Sequence, residues 1–368
     1  MDSKNIAFRV DASSQIGTGH FMRCLTLADA LKQRGAQIRF VCRHLPDYLQ
    51  AMLSVKGHEF VLLNSSQDDE ASDELVHAHW LGVSQAWDAA DAAQALTDRI
   101  WDWLIIDHYA FDARWESALR QSAKKILVID DIADRQHDCD VLLDQNFYAN
   151  MESRYSGKVP AYCQLLLGPR YALLREEFKT LREQIKPRLG VVKNILVFFG
   201  GVDPDNCTSL AIQALAGMSK EGLHVDVVIG EQHPNREQIQ QACATQGYTC
   251  HVQTERMAEL MAAADLAIGA GGSTTWERMC LGLPAIVISI AGNQTPTNQA
   301  LMEAGYISFL GEMKRVTVAD IAASIQRCIA NPEVLKKQST MGSKLVTGAG
   351  TNLLCEQIFA ESKIQNAA

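Results

Sequence analysis

The chain has 368 residues, 47% of them hydrophobic, and a formal net charge of -9. That length exceeds what one hydrophobic core usually serves and predicts two domains of roughly 170 residues each. The acidic balance, without any basic tract, excludes a nucleic acid or an anionic membrane surface held by bulk electrostatics, so a phosphate-bearing ligand must be gripped locally.

The opening MDSKN carries no basic n-region, so no signal peptide is expected, and no apolar run approaches the ~18 residues of a membrane span. The ten cysteines occur singly, with no CxxC pair; they read as buried reduced thiols of a cytoplasmic protein rather than disulfides or a zinc site. Through the first half, short apolar runs alternate with helical patterns. NIAFRV precedes a helix over about His20 to Arg34, then come QIRFVC, HEFVLL, a helix over Gln85 to Ile100, WLIID, a helix near Ala113 to Ser122, and KILVID. VLLDQN and LLLG add two short strands. This βαβ rhythm predicts a parallel sheet covered by helices on both faces.

TLREQIKPRLGVVK, residues 180–193, is polar, contains Pro187 and Gly190, and is expected to be the linker. A second alternating series begins at NILVFFGG and runs through HVDVVIG, YTCHVQ, DLAIGAGG and PAIVIS with helices between them. The expected organisation is an N-terminal Rossmann-like domain over 1–183, a C-terminal one over 190–350, and a last helix over 351–368 that crosses back onto the first. Two Rossmann-like domains facing a cleft, with ligands at the carboxyl ends of the strands, form the expected α/β architecture.

The first strand is followed by GTGHFMRCLTLADAL, residues 17–31. Gly17 and Gly19 let backbone approach a ligand, and His20 falls on the first turn of the helix. The positive end of the helix dipole disfavours imidazolium there, which suits a general base; a plain cap or packing role is the competing reading. The pattern is no dinucleotide fingerprint. Met22 stands where GxGxxG needs a small residue and the second strand ends in Arg43, so a nicotinamide cofactor is not expected, nor any other.

WLIIDHYAFD ends a buried strand in Asp107, His108 and Tyr109, where a sugar or a water can be oriented, or where a cap and a packed ring suffice. Asp11, just past the first strand, is equally open. FFGGVDPDN places Gly200 and Gly201 at a strand end, either beside a ligand or in a tight turn. His77 and His79 form an HxH without a regularly spaced third partner; with His108 and His137 they are expected to be exposed loop histidines, and no metal is expected.

GAGGSTTWERMCLGLP, residues 269–284, is the most informative stretch. Gly271 and Gly272 allow close backbone approach, Ser273 or Thr274 can cap the next helix, and the free N–H groups of its first turn suit a diphosphate. Glu277, about one turn on, can accept hydrogen bonds from two ribose hydroxyls; a glycine turn with Glu277 in solvent is the alternative. In SIAGNQTPTNQALMEAG, Asn293, Gln294, Asn298 and Gln299 lie at and just inside a helix start, where amides bind sugar hydroxyls or simply face solvent.

RVDASSQIGTGHFMRCLTLADAL, LIIDHY, FFGG and GAGGSTTWERMCLGLP followed by NQ together resemble the UDP-2,4-diacetamido-2,4,6-trideoxy-β-L-altropyranose hydrolases of pseudaminic acid biosynthesis, over nearly the whole chain. The resemblance implies a GT-B-like fold and a metal-independent enzyme that cleaves the anomeric C–O bond with inversion, releasing UDP and 2,4-diacetamido-2,4,6-trideoxy-L-altrose for a nonulosonic acid used on flagellin. It implies His20 as the catalytic histidine, Tyr109 as the tyrosine of the DHY motif, and Ser273, Thr274 and Glu277 as the nucleotide motif. Asp11 and Asp107 are the supporting catalytic candidates; Gly17, Gly19, Gly200, Gly271, Gly272, Asn298 and Gln299 complete the substrate set. The expected partners are a UDP-sugar and water, the expected state a monomer. A GT-B transferase, with His20 deprotonating an acceptor hydroxyl, is the alternative, since fold does not fix function. A non-enzymatic nucleotide-sugar sensor would need only the Glu277 site.

Overall fold

The structure is a computed structural model that describes residues 3–64, 74–218 and 222–360. The chain divides into two compact units. Unit 1 takes the chain as far as Asn146, Asn150–Leu173 and the chain from Gly350 onward; unit 2 takes Phe147–Ala149 and Leu174–Ala349.

Unit 1 is built on a parallel sheet of β1 (Asn5–Val10), β2 (Gln37–Cys42), β3 (Glu59–Leu62), β4 (Trp101–Asp107), β5 (Ala123–Ile129), β6 (Val141–Asp144) and β7 (Gln164–Leu167). Their order is β3-β2-β1-β4-β5-β6-β7. Strands buried on both faces read as continuous apolar runs, and alternate residues serve opposite layers. Thus Ile6, Phe8 and Val10 pack with Phe21, Leu25 and Phe40, while Ala7 packs with Trp101, Leu104 and Trp115. The strand order reverses between β1 and β4, which are paired with Val10 opposite Asp107. A crevice outside the carboxyl ends of the strands opens at such a switch point.

The C-terminal helix Gly350–Ala360 buries Leu354, Cys355 and Ile358 in the same core as Phe21 and Ala28 of helix Gly19–Gln33. A side chain at Gly350 would stand 2.4 Å from Tyr171 and Ala172 backbone, so the helix enters the unit through a glycine.

Unit 2 repeats the plan with β8 (Asn194–Phe198), β9 (His224–Ile229), β10 (Thr249–Val252), β11 (Leu266–Ala270), β12 (Ala285–Ser289) and β13 (Ser308–Glu312). Their order is β10-β9-β8-β11-β12-β13, again parallel. The reversal lies between β8 and β11, with Phe198 opposite Gly269.

Two expectations are corrected here. The expected linker, 180–193, is not a free connection. Leu174 already belongs to unit 2, and the helix Glu176–Arg182 buries Phe178. Arg182 donates to the Cys280 carbonyl at 2.7 Å, and the Arg188 guanidinium donates to the carbonyls of Met261, Ala262 and Ala264 at the end of helix Met257–Ala263. Guanidinium forks on orphan helix carbonyls fasten a polar stretch that reads as a linker in sequence. The helix expected to reach Ile100 ends at Ala95, because Trp101 already opens β4 and its indole N–H donates back to the Leu96 carbonyl at 3.0 Å.

Candidate functional site

In unit 1 the first helix starts at Gly19, its N-terminal residue Thr18 providing no side-chain cap. Gly17 adopts a left-handed φ of 77°, which an L side chain resists, and its N–H closes the preceding loop onto the Ser13 carbonyl at 2.8 Å. His20 is thereby held over the end of β4. Its Nδ1 lies 2.6 Å from Oδ1 of Asp107, whose side chain is fully buried while that of His20 stays 11% exposed. Among the described residues Nε2 has no protein partner. Nδ1 also lies 3.2 Å from Nη2 of Arg23, but the carboxylate is the nearer partner and can only accept, so the neutral ring carries its proton on Nδ1 and leaves the Nε2 lone pair open.

Arg23, three residues along the same helix face, clamps the carboxylate. Its Nε is 2.5 Å from Oδ2 and its Nη2 2.7 Å from Oδ1, while Nη1 reaches Oδ2 of Asp131 at 3.0 Å. Burial alone would raise the Asp107 pKa; Arg23, then His20, outweigh it and hold the group well below the usual carboxylate range. The Tyr109 hydroxyl donates to Oδ1 of Asp131. Burial and then that carboxylate push its pKa far up, so the phenol stays neutral with its proton committed. The ring of Tyr109 supports His20 edge-on, centroids 4.6 Å apart at 89°.

Asp11 is placed elsewhere. It is fully buried, receives Arg9 at 2.6 Å, accepts from the Arg43 backbone at 2.7 Å and faces His108 Nε2 at 3.3 Å. Arg9 is shared with Asp88, which also takes Arg43 and the Trp115 indole. Asp11 therefore belongs to an ion cluster beneath the strand ends and does not touch His20. His108 and His137 are not exposed loop histidines: each is only 3% exposed. His108 accepts from the Ala110 N–H at 3.1 Å and turns its other nitrogen to Asp11. His137 lies 2.7 Å from Glu116, and although burial opposes it, that carboxylate and Asp130 raise its pKa to about 9. His77 is half-buried against Trp80 and Tyr109.

In unit 2 β11 runs through Gly271 and Gly272 into helix Ser273–Cys280. The N-cap is Gly272, at φ 85°, and no side chain caps the helix, so neither Ser273 nor Thr274 takes the expected capping role. Ser273 is exposed and Thr274 half-buried; the Thr275 N–H is taken by the Gly272 carbonyl at 3.0 Å, so the N–H groups of Ser273 and Thr274 are the ones left for a ligand. Thr275, by contrast, is buried and accepts from Arg278, which also donates to the Ala270 carbonyl at 2.7 Å.

Glu277 has an 18% exposed side chain with Arg175 at 3.8 Å. Burial pushes its pKa up to about 7, against the pull of Arg175. Gly200, at φ 102°, has nothing within 4 Å of the place a side chain would take. The turn behind it is fixed by Asp203, which accepts from the N–H groups of Cys207 and Thr208 at 3.0 and 2.8 Å. Gln294 approaches Gly272 with its amide 3.6 Å from that glycine's added Cβ. Asn298 is buried under Gly271 and donates to Ser289 Oγ at 2.9 Å. Gln299 is not brought to the loop: it lies exposed on helix Gln294–Glu303 and pairs with Glu303 one turn on at 2.7 Å.

Sequence reasoning missed Arg23, Asp131, Trp80 and Arg175. Arg23 had a signal, since i and i+3 share a helix face. Asp131 had a weaker one, an acid just past a strand end. Trp80 and Arg175 had none.

Residues 194–350 match the glycosyltransferase family 28 C-terminal domain. The chain is similar to UDP-2,4-diacetamido-2,4,6-trideoxy-beta-L-altropyranose hydrolase of Campylobacter jejuni, with 27% identity over 303 residues that cover 82% of this chain and 97% of that protein. Spore coat polysaccharide biosynthesis protein SpsG of Bacillus subtilis is 24% identical over 354 residues, 94% of this chain and 95% of the relative. Among solved structures, MurG of Acinetobacter baumannii superposes with a TM-score of 0.65 at 15% identity, covering 97% of this chain and 99% of that one. The glycotransferase of kitacinnamycin gives 0.64 at 16% identity, covering 97% and 98%. The fold is the GT-B fold, two Rossmann-like domains in one chain.

Proposed function

We propose that the chain is a nucleotide-sugar hydrolase that cleaves UDP-2,4-diacetamido-2,4,6-trideoxy-β-L-altropyranose to UDP and the free sugar with inversion at the anomeric carbon, a step toward pseudaminic acid. The observation that carries the reading is the His20–Asp107 pair, 2.6 Å apart with Nε2 left open. The similarity to the Campylobacter jejuni hydrolase supports the substrate.

In this mechanism Nε2 of His20 takes a proton from water as the water oxygen attacks the anomeric carbon, and the imidazolium that forms is balanced by Asp107. The glycosidic bond breaks with its electron pair going to the β-phosphate oxygen of UDP. Unit 2 by itself offers a diphosphate the N–H groups of Ser273 and Thr274, and offers ribose hydroxyls the carboxylate of Glu277 as acceptor. Tyr109, its proton committed to Asp131, can offer the water only an acceptor. Diphosphate is a good leaving group, so a single base on the water side suffices for a transition state with oxocarbenium character.

The same residues would serve a GT-B transferase if His20 faced an acceptor hydroxyl, a reading favoured by the family 28 match over 194–350. One experiment separates them. The purified chain is incubated with the UDP-sugar in ¹⁸O-labelled water with EDTA and no acceptor, and the anomeric proton is followed by NMR. Appearance of UDP and an inverted sugar carrying the label is expected; intact substrate in the presence of a UDP-binding protein overturns the hydrolase.

A further inference from the structure

We infer that Trp80 is a specificity-determining residue whose indole packs against the methyl-bearing face of the sugar, which makes the pocket beside His20 select deoxy-acetamido sugars over fully hydroxylated ones. This rests on the hydrolase reading of the same site.

Trp80 closes a short turn of 3-10 helix, Ala78–Trp80. That turn is anchored by buried Ala78, Leu81 and Val83, and by His44, whose Nε2 lies 3.3 Å from the Leu81 carbonyl. The indole itself stays partly open. It stacks on Tyr109, centroids 5.5 Å apart at 25°, and stands edge-on to His20 at 6.2 Å and 74°. His77 packs against both rings, its centroid 4.4 Å from that of Trp80 and 5.2 Å from that of Tyr109. Among the described residues the indole N–H has no acceptor.

Trp80 and His77 thus form the open part of an aromatic wall backed by buried Tyr109, and its edge is the catalytic imidazole. Aromatic faces in wet sites attract C–H and methyl groups and leave hydroxyls unsatisfied. A 2,4-diacetamido-6-deoxy ring carries two acetyl methyls and a C6 methyl, and its acetamido carbonyls can accept the free indole N–H. A hydroxymethyl group in place of the C6 methyl would turn a hydroxyl toward the wall. A group that merely adds or removes one apolar contact changes discrimination by about 10- to 200-fold.

The test is equilibrium binding in the His20→Gln background, which removes the base and so separates binding from turnover. The dissociation constants of UDP, of the UDP-diacetamido-trideoxy sugar and of UDP-N-acetylglucosamine are measured with and without Trp80→Ala, and with Trp80→Phe. Expected is an unchanged UDP affinity, a loss of about tenfold or more for the trideoxy sugar only, and substantial recovery with phenylalanine. An unchanged preference between the two UDP-sugars in Trp80→Ala overturns the proposal, and thermal melts of the Trp80 variants alongside the unmutated chain show that unit 1 is folded. Turnover by the unmutated chain is a separate readout: if it is absent while the Trp80 preference persists, the hydrolase reading fails and the wall does not.

Discussion

The imidazole of His20 and the carboxylate of Asp107 meet at 2.6 Å, one from the first turn of a helix and the other from the last residue of β4. Neither element alone makes the pair. It exists because β1 and β4 are neighbours at the point where strand order reverses, so the helix leaving β1 passes over the end of β4.

Asp107→Asn therefore tests orientation apart from folding. An amide can present its N–H to Nδ1 and force the proton to Nε2, leaving no open lone pair for the proposed water. We expect kcat to fall by about 10²–10⁴ while UDP affinity is unchanged. Steady-state kinetics with UDP titrations checks both. Equal kcat values would show that His20 acts without Asp107.

The proposed role of Glu277 predicts that nucleotide binding is pH-dependent. Its folded pKa, pushed up to about 7, lies above the ordinary value of 4.5, so the proton is held more tightly in the folded chain. Ionisation favours acceptance of ribose hydroxyls, so UDP should bind more weakly as pH falls through about 7. Arg175→Ala removes the opposing cation and should move that midpoint upward. The linked stability has the opposite slope: it is fully present below the unfolded value of 4.5 and is lost as pH rises through about 7. Glu277→Gln should consequently raise the melting temperature at pH 8 and leave it unaltered at pH 4. Calorimetric titration and thermal melts at the two pH values decide both claims.

Much of this fold was legible because a parallel sheet buried on both faces leaves uninterrupted apolar runs. NIAFRV, QIRFVC and PAIVIS mark β1, β2 and β12 to within a residue. What was illegible is where polar atoms find partners. Arg182 and Arg188 read as linker residues, yet their donors fit helix-end carbonyls far along the chain. Asp11 and Asp107 read alike as acids after strands, yet only Asp107 meets His20, because Arg9 on β1 faces Asp11 and claims it. Residue type and position carried the dyad histidine; its partner was decided by which side chains the sheet brings opposite one another.

The cluster beneath the site should be a principal determinant of unit 1 stability. Arg9, Asp11 and Asp88 are fully buried, and Arg9 lies 2.6 and 2.8 Å from the two carboxylates. Removing one member of such a set leaves charges uncompensated in a poorly solvating interior. Arg9→Met should cost about 3–5 kcal/mol in urea unfolding, much more than replacement of an exposed arginine such as Arg256, whose pair with Glu259 is worth well under about 1 kcal/mol. A comparable loss in the two variants would show that water reaches the cluster.

Gly271 is the point at which the loop before helix Ser273–Cys280 and the core are locked together. A Cβ there would stand 2.5 Å from Nδ2 and 2.8 Å from Oδ1 of Asn298, which is 1% exposed and bonded to Ser289, so the amide cannot swing away. Gly271→Ala must displace either that amide or the loop bearing Gly272 and Ser273. We expect UDP affinity to fall at least tenfold, with little change in the thermal stability of unit 1. Asn298→Ala alone opens space below the loop. If Asn298 acts only as that floor, the double variant recovers affinity beyond the product of the two single effects, a coupling that a double-mutant cycle measures directly. If Asn298 instead binds the sugar, its single variant weakens the UDP-sugar but not UDP, and the pair shows no recovery for the sugar.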